Sequence, residues 1–159
     1  MTTKVINVVV AGLGGQGVVK ASDILADAAF RMGLDVKKSE IHGMSQRGGS
    51  VASDVRFGPV VHSPMIPAGE ADCLIVVAPD QVDVNRHVLK AGGVLVSPES
   101  LAGSPGKVQA KSVNVALLGV LSTVLDIPVE TWEDAIRANL AEKHHRLNLE
   151  AFHLGRSAN

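Results

Sequence analysis

The chain has 159 residues, a single cysteine, few aromatic side chains and a formal net charge of −1 at pH 7. That length predicts one domain over residues 1–159, with a core built mainly from Val, Leu, Ile and Ala. The charge argues against a nucleic-acid surface or an acidic-membrane surface, because phosphate contacts need a strong basic excess. One cysteine excludes an internal disulfide, and also an iron–sulfur cluster held by this chain alone.

The apolar segments predict neither a membrane span nor an export signal. The longest of them, residues 113–125, is shorter than the roughly 18 residues that suggest a span, and polar residues interrupt it. The apolar run near the amino terminus enters a glycine turn instead of a cleavage-like site. We therefore expect a cytoplasmic protein that does not contact a membrane.

A glycine-rich turn follows the first apolar run. The β-branched residues 4–10 predict a strand, and apolar residues recur at helical spacing from Val18 to Met32, so the glycines join a strand to a helix. Their spacing fits the dinucleotide-binding fingerprint, whose amides can bind a phosphate, but the same turn also serves tight packing of a strand on a helix. The candidate ligand-binding residues of this turn are Gly12, Gly14, Gly15, Gln16 and Gly17.

Gly33 is a plausible end of the first helix, and residues 34–40 predict a second strand. A right-handed, parallel crossover brings the carboxyl end of this strand to the same edge of the sheet as the glycine turn. Glu40 then lies about where a dinucleotide-binding domain keeps its ribose acid. An independent NAD- or FAD-binding protein is therefore an alternative, although the chain has no second domain to carry a substrate.

Residues 41–50 form a second glycine-rich stretch without periodicity, and residues 51–57 then alternate as a half-exposed strand does. Because a parallel crossover takes a dozen or more residues, the short connection predicts that this strand is antiparallel to its predecessor. We expect a three-layer, Rossmann-like α/β domain with a mixed, mostly parallel sheet.

The remaining segments predict alternating strands and helices without an internal repeat. The first half comprises an edge strand over residues 60–65, a buried strand over 72–77 that contains Cys73, a helix with Asp80 as N-cap that Gly92 and Gly93 close, and a strand over 94–96. The second half comprises a surface loop over 98–111 and a buried helix over 114–125 that Pro128 ends. The next helix has Thr131 and Asp134 as its capping box, and its apolar stripe consists of Trp132, Ala135, Ile136 and Leu140. A last helix over 148–155 ends at Gly155.

Arg47 is the residue of the second glycine-rich stretch that is best suited to bind an anion. Flanking glycines expose the backbone amides, and the guanidinium offers a planar fork for phosphate or carboxylate. A subunit interface and a solvated loop are the alternatives. The candidate binding residues here are His42, Gly43, Met44, Gln46, Arg47, Gly48 and Gly49, whereas the six histidines show no metal-ligand spacing and predict no metal site.

Three stretches together resemble a known family, and the resemblance covers nearly the whole chain. They are Gly12-Leu-Gly-Gly-Gln-Gly17, Ser39-Glu-Ile-His-Gly-Met-Ser-Gln-Arg-Gly-Gly-Ser-Val51 and Asn148-Leu-Glu-Ala-Phe-His-Leu-Gly155. Their order and spacing are similar to those of the gamma domain of 2-oxoacid:ferredoxin oxidoreductases. The middle stretch most resembles the indolepyruvate branch, in which this domain is a separate beta subunit.

The resemblance implies a non-catalytic subunit of a complex that oxidatively decarboxylates a 2-oxoacid to an acyl-CoA and passes the electrons to ferredoxin. Thiamine diphosphate and 4Fe–4S clusters would sit on a partner alpha subunit, against which this chain would pack, and the chain would hold no tightly bound cofactor. The glycine turn and Arg47 would meet the phosphates of coenzyme A or the partner chain, and a homodimer is a candidate assembly. The chain is short for such a subunit, so a trimmed loop or terminus would alter its partner contacts.

Overall fold

A five-stranded mixed sheet forms the centre of the computed structural model, which describes residues 4–42 and 49–158. The strands run in the order β2-β3-β1-β4-β5, and all of them except β3 point in the same direction. The expected mixed, mostly parallel α/β fold is therefore confirmed. The strands are β1 (Ile6–Leu13), β2 (Asp35–His42), β3 (Ser50–Gly58), β4 (Ala71–Val76) and β5 (Leu89–Val96).

The strand β3 lies between β1 and β2 and is antiparallel to both of them. The predicted antiparallel direction is confirmed, and the crossover from β1 to β2 skips one position in the sheet. Within this register Gly12 lies opposite Val51, and Val51 lies opposite His42. The carboxyl ends of β1 and β2 thus share one edge of the sheet, with the start of β3 between them.

The two faces of the sheet are covered unequally. Side chains alternate along β1, so Val8 and Val10 point into the larger core cluster, while Val9 and Ala11 point into the smaller one. Four helices supply the larger cluster, and the short α2 with residues 59–70 covers the other face. The helices are α1 (Val18–Arg31), α2 (Val82–Asn85), α3 (Val113–Ser122), α4 (Val129–Asn139) and α5 (His145–Arg156). None of these helices in the described part of the chain has the length and apolar character to cross a membrane.

The predicted edge strand over residues 60–65 is wrong, because this segment is irregular. Two backbone N–H groups in and next to this segment donate to side-chain carboxylates and not to a neighbouring strand. The Val61 N–H donates to Asp35 Oδ2 at 2.7 Å, and the Ile66 N–H donates to Asp54 Oδ2 at 2.9 Å. The bond from Val61 lowers the pKa of Asp35, whereas burial raises the pKa of Asp54.

The helix predicted from its N-cap Asp80 to the glycine pair is also wrong, and Asp80 lies inside a 3₁₀ turn whose N-cap is Ala78. Two 3₁₀ turns flank the four-residue α2, and Leu89 already starts β5. Gly92 and Gly93 lie inside β5, where the pairing with β4 shifts register between Ala71 and Cys73. Gly92 has φ +77°, so its left-handed conformation serves a bulge in a strand and not the end of a helix.

Helix α3 confirms the expectation of a helix buried all round, since nine of its ten residues are buried. It ends at Ser122, well before Pro128, and Pro128 is instead the N-cap of α4. The predicted capping box of Thr131 and Asp134 is therefore wrong, because both residues lie within α4. The apolar stripe of α4 is confirmed at Trp132, Ala135 and Ile136, which are buried.

Gly155 lies within α5 and does not end it, because the helix continues to Arg156. A Cβ atom on Gly155 would overlap the carbonyl oxygen of Ala116 in α3, and one on Gly119 of α3 would overlap the carbonyl oxygen of Phe152 in α5. The two helices thus pack backbone against backbone, and a glycine on each side permits the approach.

Candidate functional site

The glycine turn lies at the carboxyl end of β1 and leads directly into α1. A Cβ on Gly12 would lie 2.9 Å from Gln16 Oε1 and 2.9 Å from Val18 Cγ2, so the strand packs closely on the helix start. Gln16 Oε1 accepts the Leu13 N–H at 2.8 Å and closes the turn. Gly12 and Gln16, both predicted to bind a ligand, thus have contacts within the turn itself.

The two glycine-rich stretches are joined by a backbone hydrogen bond. The Gly14 N–H donates to the carbonyl oxygen of Gly49 at 2.8 Å. The Gly14 amide is therefore bonded within the protein in this conformation. Gly43, Met44, Gln46, Arg47 and Gly48 lie outside the described residues, but their neighbours His42 and Gly49 are both at this edge of the sheet.

A pocket of about 200 Å³ opens beside the glycine turn. We call it the turn pocket; it is lined by Leu13, Gly14, Gly15, Gly17, Val18, Val19, Lys20, His42 and Val51. The structure thus brings His42 together with Gly14, Gly15 and Gly17. Among these lining residues there is one lysine, one histidine and no carboxylate.

The start of α1 makes the turn pocket electropositive. The N-cap Gly17 has no side chain to bond the first amides of the helix, and its first turn contains no acidic residue. Such an uncapped N-terminus favours a negative charge, and Lys20 in the first turn of α1 adds a full positive one. The pocket can therefore bind an anionic group such as a phosphate or a carboxylate.

Glu40 is not brought to the glycine turn in the way that a dinucleotide-binding domain requires. It pairs with Ser53 of β3, and β3 separates β2 from β1. Two strand spacings of about 4.8 Å place β2 roughly 10 Å from β1. This strand order does not favour the alternative of an independent NAD- or FAD-binding protein.

Sequence reasoning missed Lys20, which lines the turn pocket, and Asn114, which contacts the glycine turn from outside the pocket. Lys20 follows the last glycine of the turn by three residues, so the helical pattern alone could have placed it in the first turn. Asn114 lies 97 residues from Gly17, yet its Nδ2 donates to the Gly17 carbonyl at 3.1 Å. No local signal in the sequence marks that contact.

Cys73 is buried within β4, as predicted. Burial raises the pKa of its thiol to about 11, and the neighbouring carboxylate of Asp72 acts in the same direction. The thiol is therefore protonated at neutral pH and is a poor nucleophile. Across residues 4–42 and 49–158, no three His, Cys, Asp or Glu side chains gather closely enough to hold a metal ion.

The strand order and the glycine turn define a Rossmann-like α/β domain with a mixed sheet. Residues 7–112 and 98–158 match the family model described as pyruvate ferredoxin/flavodoxin oxidoreductase. The chain belongs to this family. It is 32% identical to the indolepyruvate oxidoreductase subunit IorB of Methanothermobacter thermautotrophicus, over 94% of this chain and 95% of that protein. The expected relationship to the gamma-domain family, close to the indolepyruvate branch, is thus confirmed.

Solved structures show the same fold. The gamma subunit of a keto/oxoacid ferredoxin oxidoreductase from Geobacter sulfurreducens superposes with a TM-score of 0.79 and 22% identity, over 98% of this chain and 97% of that one. A 2-oxoglutarate:ferredoxin oxidoreductase from Magnetococcus marinus, solved with 2-oxoglutarate, coenzyme A and succinyl-CoA bound, gives a TM-score of 0.81 and 21% identity. The match covers 99% of this chain and 31% of that longer chain.

Proposed function

We propose that this chain is the small, non-catalytic subunit of a 2-oxoacid:ferredoxin oxidoreductase that acts on indolepyruvate or another aryl-pyruvate. The observation that carries the proposal is the similarity to subunit IorB along nearly the whole length of both chains. The complete enzyme would decarboxylate the 2-oxoacid oxidatively to an acyl-CoA and pass two electrons to ferredoxin.

The chemistry of this reaction would lie on a large alpha subunit that carries thiamine diphosphate and 4Fe–4S clusters. This chain has one cysteine, which is buried, and a cluster needs several thiolates. The turn pocket offers a cationic surface and Lys20 but no carboxylate among its lining residues. These features support a binding role for the chain and support the assignment of catalysis to the partner.

We further propose that the carboxyl edge of the sheet contributes to the coenzyme A site of the assembled enzyme. Coenzyme A carries a diphosphate and a further phosphate, and the uncapped start of α1 with Lys20 would stabilise such charges. Arg47 would add a planar, bidentate contact from the adjoining glycine-rich stretch. The Magnetococcus enzyme, whose fold includes this one, was solved with coenzyme A bound.

Co-expression with the large subunit encoded in the same genome tests this function. The co-purified complex should reduce ferredoxin, or a viologen acceptor, only when both indolepyruvate and coenzyme A are present. Pyruvate and 2-oxoglutarate serve as substrate controls, and each subunit alone serves as the assembly control. Activity of the small subunit by itself, or failure of the two chains to associate, would contradict the proposal.

A further inference from the structure

We infer that Asn114 is a positioning residue, which holds the glycine turn in the conformation that the coenzyme A site needs. This inference rests on the proposed function and names a residue that acts on the site from a distant part of the chain. Asn114 lies in the first turn of α3, whereas the turn that it contacts begins α1.

The contact is direct and nearly shielded from solvent. Asn114 is only 8% exposed, and its Nδ2 donates to the carbonyl oxygen of Gly17 at 3.1 Å. The same carbonyl accepts the Ala21 N–H at 2.9 Å, so it is also the first acceptor of the α1 hydrogen-bond ladder. Asn114 therefore holds the point at which the turn becomes a helix.

Gly17 and Asn114 constrain each other sterically. Gly17 has φ +76°, and a Cβ on it would overlap the amide nitrogen of Asn114. A side chain at residue 17 is thus excluded both by the backbone conformation and by the amide. Gly17 and the following Val18 line the turn pocket together with Lys20. The pair therefore fixes the part of α1 that lines the turn pocket.

A role in the helix alone does not account for an asparagine at this position. The first turn of a helix favours a carboxylate, which would stabilise the amino-terminal end of α3 better than a neutral amide does. A carboxylate would, however, place an oxygen against the Gly17 carbonyl oxygen and lose the donor. Asn114→Asp therefore separates the two roles, because it keeps the size of the side chain at the start of α3 and replaces the donor to Gly17 by an acceptor, and its burial cost is shared by the control below.

Asn148 provides a matched control. It is also 8% exposed, and its Nδ2 donates at 2.8 Å to a backbone carbonyl, that of His144, four residues earlier. Asn148 lines a pocket together with Asn114, but its acceptor is the carbonyl of the residue that caps α5 and not the glycine turn. Asn148→Asp thus removes an equally buried amide donor nearby without breaking the contact with Gly17.

The first measurement uses the full chain alone. Hydrogen exchange of the Gly14 and Ala21 amides should accelerate in Asn114→Asp and in Asn114→Ala, but not in Asn148→Asp, because the turn positions the Gly14 donor of one bond and the Gly17 acceptor of the other. Unchanged exchange at both amides in the Asn114 variants would overturn the inference.

The second measurement uses the complex with the large subunit. Asn114→Asp should raise the KM for coenzyme A about three- to tenfold, the factor expected for one lost hydrogen bond, with kcat within about twofold of the unsubstituted complex. Asn148→Asp should leave that KM unchanged. Equal KM values in all three complexes, or losses that merely follow the folded fraction of each variant, would overturn the inference. If the unsubstituted complex does not depend on coenzyme A, the proposed function fails, and the exchange measurement still decides whether Asn114 fixes the turn.

Discussion

The packing of α3 on α5 depends on two glycines, and the substitution Gly155→Ala tests it. In an ordinary helix the change from Gly to Ala is stabilising by about 0.5–1 kcal/mol, because alanine restricts the unfolded chain and favours the helix. At Gly155 the added Cβ would overlap the Ala116 carbonyl oxygen and lie 3.2 Å from the Val120 nitrogen. Backbone atoms cannot move aside as a flexible side chain can, so the helices must separate.

We expect the overlap to outweigh the gain in helix propensity. Forcing an extra carbon into a packed core typically costs about 1–3 kcal/mol, and a contact with backbone on both sides belongs at the upper end of that range. A net loss of about 2 kcal/mol should lower the Tm of a chain of this size by roughly 4–8 °C. The measurement is thermal and urea unfolding of the full chain, followed by circular dichroism.

Gly69→Ala is the matched control, since a Cβ there meets nothing within 4 Å. Gly69 has φ +80°, so its substitution costs only the backbone strain of about 1 kcal/mol and involves no overlap. A Gly155→Ala protein that melts at or above the temperature of the parent chain would refute the argument for backbone contact between α3 and α5.

Four further predictions concern charged or reactive groups. Arg47→Ala should leave the Tm of the subunit unchanged and lower the apparent affinity of the assembled enzyme for coenzyme A or for the partner chain about ten- to a hundredfold. The loss would be measured as a higher KM for coenzyme A or as weaker co-purification. Arg47→Lys should recover part of it, and Arg146→Ala is the control. Burial raises the pKa of Asp54 above its ordinary 3.8. The contribution of Asp54 to stability is therefore present below pH 3.8 and lost as the pH rises. Asp54→Asn should raise the free energy of unfolding at pH 7 more than at pH 3. The pKa of Asp35 is lowered, so its contribution is present above 3.8 and lost in acid, and Asp35→Asn should destabilise the chain at pH 7 more than at pH 2. Cys73 should react with a thiol reagent at pH 8 only after unfolding, because its pKa of about 11 and its burial protect it; rapid labelling of the native chain would contradict this.

Elements with strong local signals could be predicted from the sequence. The β-branched run, the glycine turn and the helical spacing predicted β1 and α1, and the short connection predicted the antiparallel β3. Residues 59–70 could not be predicted, because the side chains of Asp35 and Asp54 hold their backbone across long stretches of sequence. Gly92 misled the prediction because a left-handed glycine can end a helix or form a bulge, and only the pairing of β5 with β4 distinguishes the two.

The candidate site, too, could be predicted only where a local sequence signal marks it. Glycine spacing placed the turn at the carboxyl edge, and the parallel direction of β2 brought His42 to the same pocket. Glycine spacing could not show that Gln16 closes the turn on Leu13, because that bond depends on the conformation of the Gln16 side chain. It also could not show that the Gly14 amide bonds to Gly49, because the two residues are far apart in the sequence. Asn114 could be found only from the tertiary structure, which packs the start of α3 against the start of α1.

The position of β1 in the sheet also determines the order in which the chain can fold. Of the five strands in the described residues, β1 is synthesised before the others, and both of its neighbours, β3 and β4, come later in the sequence. The hairpin of β2 and β3 can form locally, whereas β1 pairs only through contacts between distant residues, which form slowly. During synthesis the apolar residues Val8, Val9 and Val10 therefore stay unpaired until β3 has emerged. This interval leaves three consecutive apolar residues exposed, which is the condition under which an unpaired strand is prone to aggregate.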